Sequence, residues 1–207
     1  GLTAGLRFES YQNAILGFPN RFKGSGIGSR YVRYSADNFD ITVGNFYEQF
    51  GNGLSFRTYW EPNLGIDNAM DGIRIIFRPF KGVTLKSIYG QQRFDFDSRI
   101  INGAGIVRGI DGEVSLNEAF ASLAEKPLKV TVGGSFTSKY QAGQTFERDS
   151  TVFTLPNNVG ATTGRLGLVY KNFQFTGEYV TKINDPNADN GYIFKKGDQF
   201  GFNGDVT

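Results

Sequence analysis

Leu128-Lys129-Val130-Thr131-Val132-Gly133-Gly134-Ser135-Phe136-Thr137 is the stretch on which the fold reading turns. Leu128, Val130, Val132, Gly134 and Phe136 alternate with Lys129, Thr131, Ser135 and Thr137, a period of two that a helix cannot present as one face. The same pattern recurs along the chain. Leu2, Ala4, Leu6 and Phe8 alternate with Thr3, Gly5, Arg7 and Glu9; Phe39, Ile41, Val43 and Tyr47 with Asp40, Thr42 and Glu48; Phe173, Phe175, Gly177 and Tyr179 with Gln174, Thr176, Glu178 and Lys182. Weaker versions lie near 27–36, 72–79, 83–94, 105–116, 161–170 and 195–206, giving about ten strands of roughly 10–12 residues. Soluble strands average nearer five or six residues, whereas a tilted strand that crosses a bilayer needs ~9–11.

The connections carry the second signal. Ala36-Asp37-Asn38, Pro79-Phe80-Lys81-Gly82 and Lys171-Asn172 read as tight turns. Between them fall longer polar connections near 12–26, 51–71, 95–104, 140–160 and 184–194. Short and long connections thus alternate, as periplasmic turns and external loops do in outer-membrane barrels. Asn117 to Pro127 interrupts the rhythm, and its Glu118-Ala119-Phe120-Ala121-Ser122-Leu123-Ala124-Glu125-Lys126 run predicts one or two helical turns stopped by Pro127 in an enlarged turn.

Composition agrees. The 207 residues suit one domain, 1–207, and include 28 Gly, 30 Phe plus Tyr and only 6 Pro. No apolar run approaches the ~18 residues of a membrane helix. Phe39 and Tyr47, eight residues apart on one predicted face, would stand about 20 Å apart along a membrane normal, near the height of a lipid-facing band with aromatic edges. Phe173 and Tyr179 repeat the arrangement, with Tyr170 at the rim. The reading is an all-β, antiparallel, up-and-down transmembrane barrel in which every backbone polar group finds a strand partner. A soluble extracellular sandwich has the same alternation but needs shorter strands and a second apolar layer.

The stretch Tyr47-Glu48-Gln49-Phe50-Gly51-Asn52-Gly53-Leu54, with Arg57 and Tyr59, runs on through Asn63-Leu64-Gly65-Ile66-Asp67-Asn68-Ala69-Met70-Asp71-Gly72. Leu85-Lys86-Ser87-Ile88-Tyr89-Gly90-Gln91-Gln92-Arg93 fits the same pattern. Over about 39–95 the chain resembles an uncharacterised family of outer-membrane β-barrel proteins from Bacteroidota. That resemblance implies an envelope location and a chain longer than 207 residues, and it supplies no catalytic residues to carry over. Thr207 is not the terminal aromatic that usually closes a bacterial barrel, and the final strand runs to the end of the sequence, so we expect this segment to form part of a larger barrel; no signal peptide begins the sequence, which mature numbering or an excised fragment would each explain.

Several chemistries are excluded. His and Cys are both absent, which removes Ser-His-Asp triads, Cys-His dyads and ordinary zinc sites, and the reading is of a protein that is not an enzyme. A net charge of +2 offers no footprint for nucleic acid. Asp95 and Asp97 pair carboxylates in an expected loop without a pocket. Gly24-Ser25-Gly26-Ile27-Gly28 lacks the Lys-Ser/Thr of a phosphate loop and reads as a flexible lead into strand two. Asp185-Pro186-Asn187-Ala188-Asp189-Asn190-Gly191, and Asp67 with Asn68 and Asp71, alternate oxygen ligands as calcium loops do, but the first lacks the sixth-place Gly and twelfth-place Glu of an EF-hand. No cofactor is expected.

The expected lumen-lining residues are Arg7, Glu9, Asp40, Glu48, Lys86, Asp111, Glu113, Lys129, Arg165, Glu178 and Lys182, with both signs interspersed. Region 51–71, carrying Arg57, Tyr59, Trp60 and Asp67, could form an external cap or fold inward as a constriction, and inward folding is the expectation, since Trp60, Leu64 and Ile66 suit water poorly. Three functions remain in view: a passive channel or accessory subunit of an envelope complex; a non-conducting binding or structural barrel; and the soluble sandwich. The expected partners are outer-membrane lipid and other envelope proteins.

Overall fold

The computed structural model describes residues 1–11, 22–143, 145–148, 151–183 and 197–206. The strands, in chain order, are β1 (Leu2–Tyr11), β2 (Phe22–Ser35), β3 (Phe39–Phe46), β4 (Trp60–Glu61), β5 (Ile66–Asp67), β6 (Met70–Phe77), β7 (Val83–Asp97), β8 (Ile100–Ser115), β9 (Leu128–Tyr140), β10 (Thr145–Arg148), β11 (Thr151–Thr154), β12 (Asn158–Tyr170), β13 (Phe173–Lys182) and β14 (Gly197–Val206). Ten of them form one sheet in the order β1-β2-β3-β6-β7-β8-β9-β12-β13-β14, while β4-β5 and β10-β11 are small separate hairpins. Each neighbour in the ten-stranded sheet is antiparallel and sequential, the meander expected of tight turns. Among the described residues β1 and β14 are not paired with each other, so the described sheet is open.

The register lines up unlike residues on the two faces. One row across the sheet reads Tyr34, Ile41, Ile75, Ser87, Ile110, Phe136, Thr162. The next row on the opposite face reads Asp40, Ile76, Lys86, Asp111, Ser135, Thr163. The apolar row is the uncovered one: Leu2 is 76% exposed, Leu6 68%, Phe8 65% and Ile110 60%. The polar row is covered, with Asp40 at 2% and Asp111 at 6% exposed. A water-soluble antiparallel sheet buries its apolar face and wets its polar one; this sheet does the reverse.

Several expected boundaries move. Residues 95–104 are not a long connection, because β7 and β8 run on to a tight turn at Ser98-Arg99. Gly24–Gly28 lies inside β2 rather than in a loop before it. The segment 140–160 holds the β10-β11 hairpin. Leu116–Ala119 forms one helical turn and Ala121–Leu123 a 3-10 turn, in the place the sequence assigned to them. Expected connections within 12–21 and 184–194, including Asp185–Gly191, lie outside the described residues.

Tyr47 is also corrected. It does not share the outward face of Phe39, Ile41 and Val43, because Gly44 adopts φ 105 and breaks the alternation. A Cβ at Gly44 would stand 2.3 Å from the Arg30 carbonyl oxygen, so both the angle and the space demand glycine. Beyond this kink Phe46 is buried and Tyr47 turns to the covered face.

β3 and β6 are eight residues long, whereas β2 and β7 have 14 and 15. Past the ends of the short pair, β2 and β7 meet directly in parallel at Phe22–Phe96 and Lys23–Asp97. Ser98 N–H donates to the Lys23 carbonyl at 3.1 Å, and Lys23 and Asp97 pair at 3.3 Å. The wall is thereby bridged over the gap left by β3 and β6, and residues 47–69 leave it on the covered side. Where β6 and β7 run closest, Gly72 faces Gly90, and a Cβ on Gly72 would lie 2.1 Å from the Tyr89 carbonyl. Gly72→Ala is expected to destabilise the protein by about 1–3 kcal/mol, read as a lower urea midpoint.

Candidate functional site, the inward strap and its ion pairs

The segment 47–69, here called the strap, crosses the covered face from β1 to β14. Its centre is apolar: Phe50, fully buried, joins Phe46, Met70, Ile88 and Val107, with Phe56 packed on them. Gly109 makes this fit, since a Cβ there would come within 2.7 Å of the Phe50 ring. Burying these side chains stabilises the strap by roughly 1.5–3 kcal/mol each.

Ionic contacts hold both flanks. On one side Asp67, paired with Trp60 across the β4-β5 hairpin, sits between two arginines. Its Oδ2 accepts from Arg93 Nη1 at 2.8 Å and from Arg7 Nη2; its Oδ1 accepts from the Tyr47 hydroxyl at 2.9 Å and the Ala69 N–H at 3.3 Å. Arg93 is fully buried. It forks onto Glu9 (3.0 and 2.7 Å), donates to the Gly28 carbonyl at 3.0 Å, and lies 5.3 Å from the ring centres of both Phe22 and Phe96. Glu9 also accepts from Arg7 Nε at 2.8 Å and from the Tyr11 hydroxyl at 3.0 Å. The Arg7 guanidinium stacks 4.3 Å from the Trp60 ring centre. Burial, reinforced by the Asp67 charge, pushes the Tyr47 phenol up to about 12, so it keeps the proton it donates to Asp67 throughout the neutral range.

At the strap's start Glu48 takes Lys86 at 2.8 Å and Arg74 at 3.6 Å. Arg74 also reaches Asp40 at 3.2 Å, and Asp40 accepts from Arg33 and Ser35. Across the sheet, Asn52 N–H donates to Glu178 at 2.7 Å, and Thr137 Oγ1 donates to the Ser55 carbonyl at 3.4 Å. Arg165 pairs with Asp111 at 2.8 Å and with the half-exposed Glu113 at 3.7 Å, and it donates to Ser135 at 3.2 Å. Gly133 is the gap through which Arg165 reaches, for a Cβ there would be 2.7 Å from Nη2.

Of the residues named from sequence, Arg7, Glu9 and Asp67 meet in one cluster; Asp40, Glu48 and Lys86 are linked through Arg74; Arg165, Asp111 and Glu113 form a third. Lys129 is not with them. It is exposed at the turn end, with Nζ donating to the Ala124 carbonyl at 2.6 Å. Lys182 lies at the far end of β13, opposite Ala161. Arg57 is exposed and stacks over the ring of Tyr59 at 4.7 Å. Asp71 and Asn68 do not join Asp67 as ligands: Asp71 accepts from Asn102, and Asn68 Oδ1 from the Tyr59 N–H. Among the described residues no group of three acidic side chains is placed to hold a metal ion.

Arg93, Arg74 and Arg33 were missed. Simple alternation puts Arg93 on the face of Tyr89 and Gln91, but the register shifts between Gln91 and Arg93 and turn it inward. No sequence signal marks that bulge. For Arg74 a signal existed, because Ile73, Ile75 and Phe77 already defined the opposite face.

Removing one partner of a buried ion cluster leaves charges that neither water nor protein compensates. Arg93→Met is therefore expected to cost about 3–5 kcal/mol. Arg33→Met, which removes a half-exposed partner of Asp40, is expected to cost under about 1 kcal/mol. Urea titration of both variants, followed by Trp60 emission, checks the order.

Searches of curated proteins and of solved structures returned no match. The model of DUF6029, a family of unknown function, matches residues 1–207. On that match, the chain belongs to DUF6029.

Proposed function

We propose that this chain is part of the wall of an outer-membrane β-barrel, acting as a passive channel whose lumen the strap narrows, or as an accessory subunit of an envelope complex. The observation that carries the reading is the inverted sheet: apolar side chains uncovered, ion pairs covered. In water that arrangement leaves a large apolar surface unpaid by burial. Against hydrocarbon it is the stable orientation. Outward residues from Leu128 to Phe136 span about 20 Å along a normal for a ~40° tilt, close to the ~25 Å band of such barrels. Closure of the sheet into a barrel belongs to the proposal.

The strap bears on the width of the proposed lumen. It crosses the covered face from Asp67 beside β1 to Leu54 beside Gly201 of β14, and the charges beneath it are largely paired. That favours a narrow lumen over a wide one, and it equally supports a non-conducting barrel that binds a partner. A soluble sandwich gains no such support, since no described layer covers Ile110, Phe136 or Leu6.

Three measurements test the proposal. Expressed in a Gram-negative host, the protein is expected to stay with the membrane through a high-salt wash and to need detergent for release; release by salt alone overturns the membrane assignment. Ile110→Arg is expected to cost about 2–4 kcal/mol in a bilayer, whereas Thr131→Arg on the opposite face costs less. Small, steady single-channel conductance in planar bilayers supports the channel version, and none supports the non-conducting one.

A further inference from the structure

We propose that Arg7, Arg93 and Tyr47 form a receptor for the carboxylate of a small solute, which the strap's own Asp67 occupies in this structure. The two arginines and the acceptor belong to different parts of the fold. Arg7 stands on β1 and Arg93 on β7, both in the sheet, while Asp67 arrives on a hairpin of the strap. The sheet supplies both arginines, Tyr47 follows directly on the end of β3, and the guest is the Asp67 side chain.

The donor set matches one carboxylate. One oxygen takes a guanidinium N–H from each arginine, and the other takes the Tyr47 hydroxyl and the Ala69 N–H. Charge-assisted contacts from planar guanidinium groups are the geometry that selects carboxylates. The charge count points the same way. Two arginines face Glu9 and Asp67, so with Asp67 withdrawn the pocket carries one uncompensated positive charge and calls for a monoanion.

Trp60 suggests what the carboxylate is attached to. One side of its ring is held by Arg7, and the residue is 51% exposed. Trp60 and Asp67 share the β4-β5 hairpin, so the exchange is one in which the Asp67 side chain turns out while the hairpin stays, and a solute carboxylate entering the arginine pair lays its body along the indole; the class is a monocarboxylate with an apolar body. Exchange need not breach the wall, because the β2–β7 bridge at Phe22–Phe96 and Lys23–Asp97 uses no strap residue. A tethered competitor acts at an effective concentration on the order of millimolar, which sets the range in which a free carboxylate would displace it.

The inference goes beyond the barrel reading and needs only that the strap's open side meets water, so its test does not rely on conductance. Trp60 is the single tryptophan of the chain and reports on Arg7 directly. The full chain in detergent micelles would be titrated with sodium hexanoate, acetate or phosphate, with chloride holding the ionic strength constant. The expected result is a saturable change in Trp60 emission, strongest for hexanoate and weaker for acetate. Asp67→Asn, which removes the competing charge but keeps the side-chain shape, should lower the hexanoate midpoint about tenfold, and Arg7→Gln should abolish the response with far-ultraviolet dichroism unchanged. Equal responses in chloride, or an Asp67→Asn midpoint matching the native chain, overturn the proposal. A stronger response to phosphate overturns the carboxylate assignment. If Arg7→Gln fails to fold, the Asp67→Asn comparison alone decides.

Discussion

Arg93 is the point through which the strap, the sheet and the gap in the sheet are held together. Its guanidinium is fully buried, yet it meets Glu9 of β1, the Gly28 carbonyl of β2 and Asp67 of the strap, between the rings of Phe22 and Phe96. A buried cation is tolerated only when its donors are matched by acceptors and its charge by anions. Here the groups that meet Nη1 and Nη2 come from three separate stretches of chain, while the buried Nε has no partner among the described residues. Satisfying one side chain therefore fixes where β2 meets β7 and where the strap must lie. The bulge that turns Arg93 inward and the kink at Gly44 that turns Tyr47 inward serve the same cluster.

The inverted sheet follows from that arrangement. Once charges of both signs line the covered face, apolar side chains at alternate positions must point the other way, and the register places them in continuous rows. Such a sheet has a stable home where its apolar rows touch hydrocarbon and its ionic rows face a narrow, polar interior. The strap reinforces this by covering part of the ionic face with its own small core around Phe50, which otherwise would leave Ile88 and Val107 facing charged neighbours.

Much of this could be read from the chain, and the limits have physical causes. Period-two alternation over Leu128–Phe136 or Leu2–Phe8 identifies strands and their faces because side chains alternate strictly while the backbone stays regular. Tight turns at Ala36-Asp37-Asn38 and Lys171-Asn172 give the meander. The inward charges Asp40, Lys86, Asp111 and Arg165 are legible for the same reason. Reading fails where regularity fails. A glycine at φ 105 reversed Tyr47, and a bulge reversed Arg93, and neither leaves a pattern in composition. The Ser98-Arg99 turn was hidden because polar strand ends resemble a loop. The pairing of β2 with β7 rests on contacts 74 residues apart, such as Phe22 with Phe96, that no local pattern encodes.

The proposed membrane orientation requires the apolar face of the sheet, and not the ionic one, to touch lipid. The chain has no cysteine, so a single nitroxide label can be placed at one position at a time along β9 and β12, and its collision rates with oxygen and with a water-soluble nickel chelate can be compared in liposomes. The account predicts that labels at 130, 132, 136, 166 and 168 favour oxygen, and that labels at 131, 135, 163 and 165 do not, alternating residue by residue. Labels at the first set that meet the nickel chelate as freely as an exposed loop does would contradict it.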